Sequence, residues 1–417
     1  MSEKRVVITG LGVLSPIGNT PEQAWENAIA GNSGIRRLSV IDPEPFTSQV
    51  AGEVRDFNPA EIIGPRAVRR NDRYAQFAMV AAKQAWNNSG LNDTSIAPER
   101  VGVMIGSGVG GLNTYEEQHA VAMERGPRRI SSMFVPMMIS NMAAGQVAID
   151  LNAKGPNFAT VTACASSSHA LACAVDAIRL GRADVMVTGG SEAPLTLMSV
   201  GGFCSMKALC TTFNDDPEKA SRPFDRDRAG FVIAEGAAIL VLEELSCAQK
   251  RGANIIAEVT GVGMSCDAHH ITAPSPGGEG CARSMTMAMN DAGLNPEDVD
   301  YINAHGTSTM LNDVNETSAV RTALGAHADK MMVSSTKSVH GHMLGATGSM
   351  EILLTALALK NGVVPPTATH ENPGEGCDLD YVPGTCRQVA IENALSNSLG
   401  FGGHNVSIAL GKYKGDS

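Results

Sequence analysis

The feature that most constrains the fold is that the chain uses one pattern twice. "KRVVITGLGVLS" at 4–15 reads as a buried strand entering a Gly-rich turn, "IIAEVTGVGMSC" at 255–266 has the same shape, and each opens a half. "RVGVMIGSGVGG" and "VDYINAHGTST" each end a strand in small residues. "FATVTACASSSHALACAVDAI" and "MMVSSTKSVHGHMLGATGSMEILLTALAL" each run strand, polar turn, long helix. Leu171, Ala174, Val175 and Ile178 in the first, and Met350, Leu353, Leu354 and Leu357 in the second, keep helical spacing. A strand–helix unit repeated within one chain predicts a duplicated α/β fold whose sheets are covered by helices on both faces. The boundary falls near Arg251-Gly252, giving halves 1–251 and 252–417. Two copies set face to face bring their strand-end turns into one shared site.

Local signals agree. Thr20-Pro21-Glu22-Gln23 is a capping-box start for a short helix, and "ADVMVTGGSEA" and "AAILVLEEL" read as further buried strands. With 44 glycines and 4% aromatic residues among 417, the chain suits elements whose backbones approach closely. A formal charge of −11 argues against general nucleic-acid binding, and any acidic partner must meet a local basic patch. No stretch is long and apolar enough to span a bilayer. The N-terminal apolar run is short and broken by Gly10 and Gly12, so it reads as a first strand rather than a signal peptide. Nine cysteines without CxxC pairs read as reduced thiols in the cytoplasm. "DAHH" and His340-x-His342 offer nitrogen ligands without a complete set, so no metal is expected.

Cys164 is the exception among the thiols. Placed after a strand over 157–163 and at the start of a helix over 165–180, its sulfur would meet unpaired amides and the positive end of the helix dipole, which favours thiolate. Ala163, Ala165 and Ser166 leave room for a substrate carbonyl, and the Cys164 amide could donate to an oxyanion. The other eight, Cys173, Cys204, Cys210, Cys247, Cys266, Cys281, Cys377 and Cys386, read as buried small hydrophobes. "NAHGTSTMLND" sets His305 at a strand end, "STKSVHGHMLGATG" sets Lys337 and His342 at the corresponding turn of the repeat, and "NSLGFGGHN" presents a backbone amide at Phe401.

Together "TACASSS", "SRPFDRDRAGFV", "NAHGTST", "KSVHGHMLGA" and "GFGGHN" resemble, in order and spacing, the β-ketoacyl-acyl-carrier-protein synthases, the type II elongating condensing enzymes of the thiolase-like superfamily. The likeness runs from Val6 to about Tyr413. It implies a duplicated five-layer αβαβα fold with two mixed sheets. It also implies decarboxylative condensation of malonyl-acyl-carrier-protein with an enzyme-bound acyl thioester, giving a 3-oxoacyl product in fatty-acid elongation. By the resemblance Cys164 is the nucleophile, the Cys164 and Phe401 amides form the oxyanion hole, and Phe401 gates the pocket. His305 and His342 hold the malonyl thioester carbonyl, and Lys337 pairs with Glu351. Thr307, Thr309 and Thr272 would bind the phosphopantetheine arm. Val109, Gly402 and Phe134 would contact the substrate, with Met133 and Phe134 reaching in from the second subunit of a homodimer. No cofactor is implied beyond the carrier's own arm. Acyl carrier protein is acidic, and Arg66, Arg69, Arg70, Arg128, Arg129 and Lys207 match its basic docking positions. The spacing of Arg66, Arg69 and Arg70 places them on one helical side. His340 and His404 stand where Thr is usual, Leu399 where Phe is usual and Met310 where Pro is usual.

Four other functions compete. A polyketide ketosynthase would use the same chemistry. A non-catalytic chain-length or dimerisation subunit would usually lack the nucleophile. A degradative thiolase needs a second cysteine as base, and Cys377 and Cys386 sit outside such a motif. A cysteine hydrolase needs a base and an orienting carboxylate that cannot be assigned.

Overall fold

In the computed structural model, which describes residues 4–94 and 96–415, ten strands make the main sheet. The first five are β1 (Val6–Leu14), β2 (Val101–Gly106), β3 (Asn157–Phe158), β4 (Val185–Glu192) and β5 (Gly236–Glu244). The second five are β6 (Ala257–Cys266), β7 (Tyr301–Asn303), β8 (Met332–Ser334), β9 (Asn393–Gly400) and β10 (His404–Gly411). Read outward from the centre, the halves run β1-β5-β4-β2-β3 and β6-β10-β9-β7-β8, the same order twice. The strand senses repeat too. β5 and β10 are antiparallel to both neighbours, while β4-β2-β3 and β9-β7-β8 are parallel. Where two separate sheets are expected, hydrogen bonding is continuous. Val6, Val7 and Ile8 pair antiparallel with Val259, Glu258 and Ala257 and join the halves edge to edge.

Six helices matter for the site: α1 (Arg73–Ser89), α2 (Leu112–Arg125), α3 (Ser166–Arg179), α4 (Glu279–Ala292), α5 (Met310–Leu324) and α6 (Thr347–Asn361). α3 and α6 pack on each other and touch strands of both halves, so they form the middle layer. Leu171, Val175 and Ile178 meet Met350, Leu353 and Leu354 in one buried cluster there. α1 covers β1 and β5 from one outer side, and α4 covers β6 and β10 from the other. α1 starts at Asp72, whose carboxylate accepts from the Tyr74 amide at 3.2 Å, and stops at Gly90 in the left-handed region at φ 73°.

The paired glycines that open each half serve this layering. A Cβ on Gly10 or Gly12 would stand 2.2 or 2.0 Å from the Ala85 or Ala81 carbonyl of α1, and one on Gly261 or Gly263 would stand 2.2 or 1.9 Å from the Ala288 or Ser284 carbonyl of α4. Only a residue without a side chain lets strand and helix backbones come that close.

Several expectations are corrected. The strand over 157–163 shrinks to Asn157–Phe158 because the chain then turns onto the loop that carries Cys164. There the Thr160 hydroxyl donates to Ser166 O at 2.7 Å and the Thr162 amide donates to Ser166 Oγ at 2.9 Å. The helix Pro21–Ala30 is capped by Thr20 accepting from the Gln23 amide, but Gln23 turns its carbonyl to the Asn19 amide instead of closing the box. Arg66 lies in a helix of only four residues, Pro65–Val68, which Gly64 and the following turn confine. Arg69 and Arg70 follow it, so the three do not share a helical face, though all are exposed. Of the eight cysteines expected to be buried, Cys210, Cys281 and Cys377 are. Cys173, Cys204, Cys247 and Cys386 are half-buried, and Cys266, near the end of β6 where the strand leaves the core, is exposed.

Candidate active site

Cys164 sits in a single 3₁₀ turn, Ala163–Ala165, which leads into α3 at Ser166. Ala163 takes φ 51°, a left-handed value unusual for a side-chain-bearing residue, and this turns the chain sharply at Cys164. The Ser166 hydroxyl donates to Ala163 O at 2.7 Å and locks the turn. The backbone N–H groups of Cys164 and Phe401 both lie near enough to the cysteine sulfur to pull its pKa down. Gly400 makes that convergence possible, since a Cβ there would lie 2.5 Å from Thr162 O and 3.3 Å from Cys164 N. The expected thiolate is not what this seat favours. Burial pushes the thiol up to about 12, with Glu192 adding to the shift against the opposing pull of Lys337 and the two amides. The resting group is a thiol.

His305 follows β7, and His342 occupies the corresponding turn after β8. Their rings meet edge to face, with centroids 5.5 Å apart and planes 84° from parallel. Both are buried, and burial together with the charge of Lys337 pushes both imidazoles well below their ordinary value, so they are neutral. His305 is held from behind at two points. Glu316 accepts from the His305 and Gly306 amides at 2.8 and 2.7 Å, while Lys337 donates to His305 O. Lys337 also donates to Glu351, and both are fully buried. Burial raises the Glu351 carboxyl against the opposing Lys337 charge. This buried ion pair braces a backbone and does not face the cavity.

Cys164, His305, His342 and Phe401 line one cavity of about 520 Å³ with Val109, Thr272, Thr307, Thr309 and Leu399, and Lys207 and Met310 also border it. Val109 is 38% exposed and lines the cavity with Phe203, Phe231 and Leu344. The Thr307 and Thr309 hydroxyls are 3.0 Å apart, and Thr309 also caps α5 through the Asn312 amide. Phe134 and Gly402 do not line the cavity. The Phe134 ring lies 6.4 Å from the exposed Tyr115 ring, outside the cavity, and Gly402, beside Phe401, is exposed. Arg128, Arg129 and Lys207 are exposed.

Further residues surround the site, and of these Glu192 carried no signal in the sequence. Glu192 is fully buried and accepts from Ser107 Oγ, Gly108 N, Val109 N and Gly345 N at 2.8, 2.6, 3.1 and 3.0 Å, tying the Val109 loop to the turn after His342. Phe231 packs edge-on against His342 at 5.2 Å. His404 meets His169 edge-on at 6.1 Å, and His340 is buried with both ring nitrogens bonded. Among the described residues, no cluster of His, Cys, Asp and Glu could hold a metal ion.

The arrangement offers a nucleophile under two amide donors, and two neutral imidazoles across a shared cavity. Comparison with known proteins gives that arrangement a family. Residues 3–248 match the model of the beta-ketoacyl synthase N-terminal domain, and residues 256–371 match that of the C-terminal domain. The chain is 51% identical over 411 residues to 3-oxoacyl-[acyl-carrier-protein] synthase 2 of Staphylococcus aureus, covering 99% of each. It is 49% identical over 414 residues to the Synechocystis protein of the same name, covering 99% of each. Among solved structures, a type II polyketide ketosynthase in complex with its acyl-carrier protein superposes with TM-score 0.92 at 34% identity, covering 99% of this chain and all of that one. A beta-ketoacyl synthase from Burkholderia phymatum superposes with TM-score 0.91 at 33% identity, over 99% of this chain and all of that one.

Proposed function

The chain belongs to the β-ketoacyl synthase family, and from that premise we infer that it is a 3-oxoacyl-acyl-carrier-protein synthase, an acyltransferase of fatty-acid chain elongation. One observation carries the mechanism: Cys164 and the paired His305 and His342 face one cavity. In the first half-reaction the Cys164 sulfur attacks the acyl thioester on the carrier's phosphopantetheine arm. A bond forms from Sγ to the acyl carbon, the carbon–sulfur bond to the arm breaks, and the cysteine proton leaves with the arm's thiol. The oxyanion formed on the way is met by the Cys164 and Phe401 amides.

In the second half-reaction a malonyl thioester takes the arm's place. Its carboxylate carbon–carbon bond breaks, carbon dioxide leaves, and the bonding pair moves into an enolate whose oxygen faces His305 and His342. Neutral imidazoles suit this task, since each donates one N–H to a charge that exists only as the reaction proceeds. The enolate carbon attacks the acyl–cysteine carbonyl, the bond to Sγ breaks, and the sulfur regains a proton. The product is a 3-oxoacyl thioester on the carrier. Both acyl groups arrive on the carrier's arm, so no resident cofactor is needed.

Thr307, Thr309 and Thr272 are assigned to the arm, and Val109 and Leu399 to the acyl chain. Gly402 gives the gate turn its shape from outside the cavity. Lys337 and Glu351 are positioning residues for His305. Exposed Arg66, Arg69, Arg70, Arg128, Arg129 and Lys207 supply a basic rim for an acidic carrier on a chain of net charge −11. A homodimer is proposed on the outer edge of β3. Phe158 and Val161 there are 42 and 57% exposed, and among the described residues no strand pairs with that edge. Phe134 would reach the site from the partner subunit. No helix among the described residues is long and apolar enough to cross a membrane, and a cytoplasmic location is proposed. The polyketide function is second, because identity to the fatty-acid synthases exceeds that to the solved polyketide ketosynthase, 49–51% against 34%.

The test is mass spectrometry of the protein after incubation with acyl-carrier substrates of graded length, followed by malonyl-carrier. A thioester on Cys164 that disappears with release of a 3-oxoacyl carrier is expected, and Cys164→Ala yields neither. Acylation at another residue, or none in the wild type, rejects the assignment.

A further inference from the structure

We propose that Thr347 is a positioning residue that keeps the proton of His342 on Nε2, the ring nitrogen left facing the cavity. The proposal rests on the condensing function inferred above. Thr347 is the first residue of α6, is fully buried, and places its hydroxyl 2.9 Å from His342 Nδ1. The ring lines the cavity while Nδ1 is turned inward to that hydroxyl, so Nε2 is the atom toward the substrate.

A neutral imidazole carries one N–H, and the group bonded to one nitrogen decides which nitrogen holds it. A hydroxyl can donate or accept, so Thr347 alone permits both tautomers. The chemistry at the other end selects one. Meeting a developing oxyanion requires a proton on Nε2, and Nδ1 is then a lone pair that the Thr347 O–H satisfies. The hydroxyl is available for this, because among the described residues His342 Nδ1 is its only hydrogen-bond partner. A carboxylate in the same place would draw the ring toward the charged form. A hydroxyl leaves it neutral.

The other two histidines of the site supply the contrast. His305 Nδ1 is buried with no partner, so a proton there would be an unsatisfied buried donor, and Nε2–H follows by default. His340, two residues before His342, is set the other way. Its Nδ1 faces Gly341 O at 2.7 Å and must donate, and its Nε2 accepts from Thr336 Oγ1 at 3.0 Å. Thus His340 is fixed as Nδ1–H by the Gly341 carbonyl, whereas His342, two residues on, is proposed in the opposite tautomer with Thr347 donating to Nδ1.

The experiment uses full-length protein labelled with ¹⁵N-histidine, in which long-range proton–nitrogen correlations report which ring nitrogen is protonated, with His342→Asn to assign the signal. Wild type is expected to show His342 as Nε2–H. Thr347→Val, which keeps the side-chain volume, is expected to shift His342 toward a mixture of tautomers. It should also lower kcat for malonyl-carrier decarboxylation by roughly 10–100-fold, the range for losing the outer partner of a metal-bound histidine, with KM and Cys164 acylation unchanged. Thr347→Ser is expected to restore both readouts. An Nδ1–H signal in wild type overturns the proposal even if the valine variant fails to fold. So does a valine variant with unchanged tautomer or unchanged decarboxylation. Wild-type protein that decarboxylates no malonyl-carrier rejects the assigned function instead, and the tautomer measurement stands apart from it.

Discussion

At the scale of single residues, the cavity works by keeping its groups uncharged until the reaction creates charge. The raised Cys164 thiol and the two depressed imidazoles share one cause, burial, and the charge of Lys337 pushes the thiol and the imidazoles in the same downward direction. His305→Ala removes one of two donors to the enolate oxygen, and malonyl decarboxylation should slow by roughly 10²–10³ while Cys164 still acylates. Carbon dioxide release and intact-protein mass measure the two steps, and a parallel loss of both contradicts the separation of roles. His340 gives a prediction in pH. Its folded value is pushed down to about 3 from an ordinary 6.5, so between those values the unfolded chain binds a proton that the folded chain does not. That difference removes stability as pH falls below 6.5, by up to about 1.4 kcal/mol per pH unit. His340→Thr should therefore flatten the fall in unfolding free energy between pH 7 and 5 in urea titrations, and an unchanged slope contradicts it. Cys164, His305 and His342 were legible in the sequence because each stands among small residues in a turn between an apolar run and a helix. Glu192 was not, because its bond to the Gly108 amide spans 84 residues and exists only after folding.

Among the elements, helices and the long strands followed from periodicity, whereas the segment before Cys164 did not. Its apolar and β-branched residues read as strand through 163, but hydroxyl bonds to the coming helix bend it away after Phe158. Side-chain hydroxyls competing for backbone groups leave no trace in hydrophobic spacing. The seat of Phe401 depends on an element end of the same kind. Gly400→Ala puts a methyl 2.5 Å from Thr162 O, so the end of β9 must shift and carry the Phe401 amide off the cysteine sulfur. Acylation of Cys164 should slow at least 10-fold, by loss of part of one oxyanion donor, with the unfolding midpoint lowered modestly. Wild-type acylation kinetics in this variant would show that the amide contributes nothing.

For the whole molecule, the repeat in the sequence anticipated the repeat in strand order, because each half buries the same glycine-marked strand under the same kind of helix. Continuity of the sheet across β1 and β6 was not legible, since edge pairing between halves needs only three residue pairs and no motif. Two surface predictions belong at this scale. Arg69→Glu with Arg70→Glu should weaken carrier-protein binding, more so at low salt, without moving the unfolding midpoint. Calorimetric titration with the carrier checks this, and unchanged affinity removes the basic rim from the docking model. Phe158→Asp with Val161→Asp should give a monomer in sedimentation analysis if the β3 edge is the subunit contact, and an unchanged assembly would place that contact elsewhere.

The three-pair junction between β1 and β6 has a further consequence. Cohesion of the two copies lies in that ladder, in the shared middle helices and in the backbone bonds of His342 with Val232 and Ala234, while the chain crosses between them once, near residue 251. Proteolytic scission there would leave the fragments zipped together and the thiol still opposite its imidazoles, so a nicked chain should keep working.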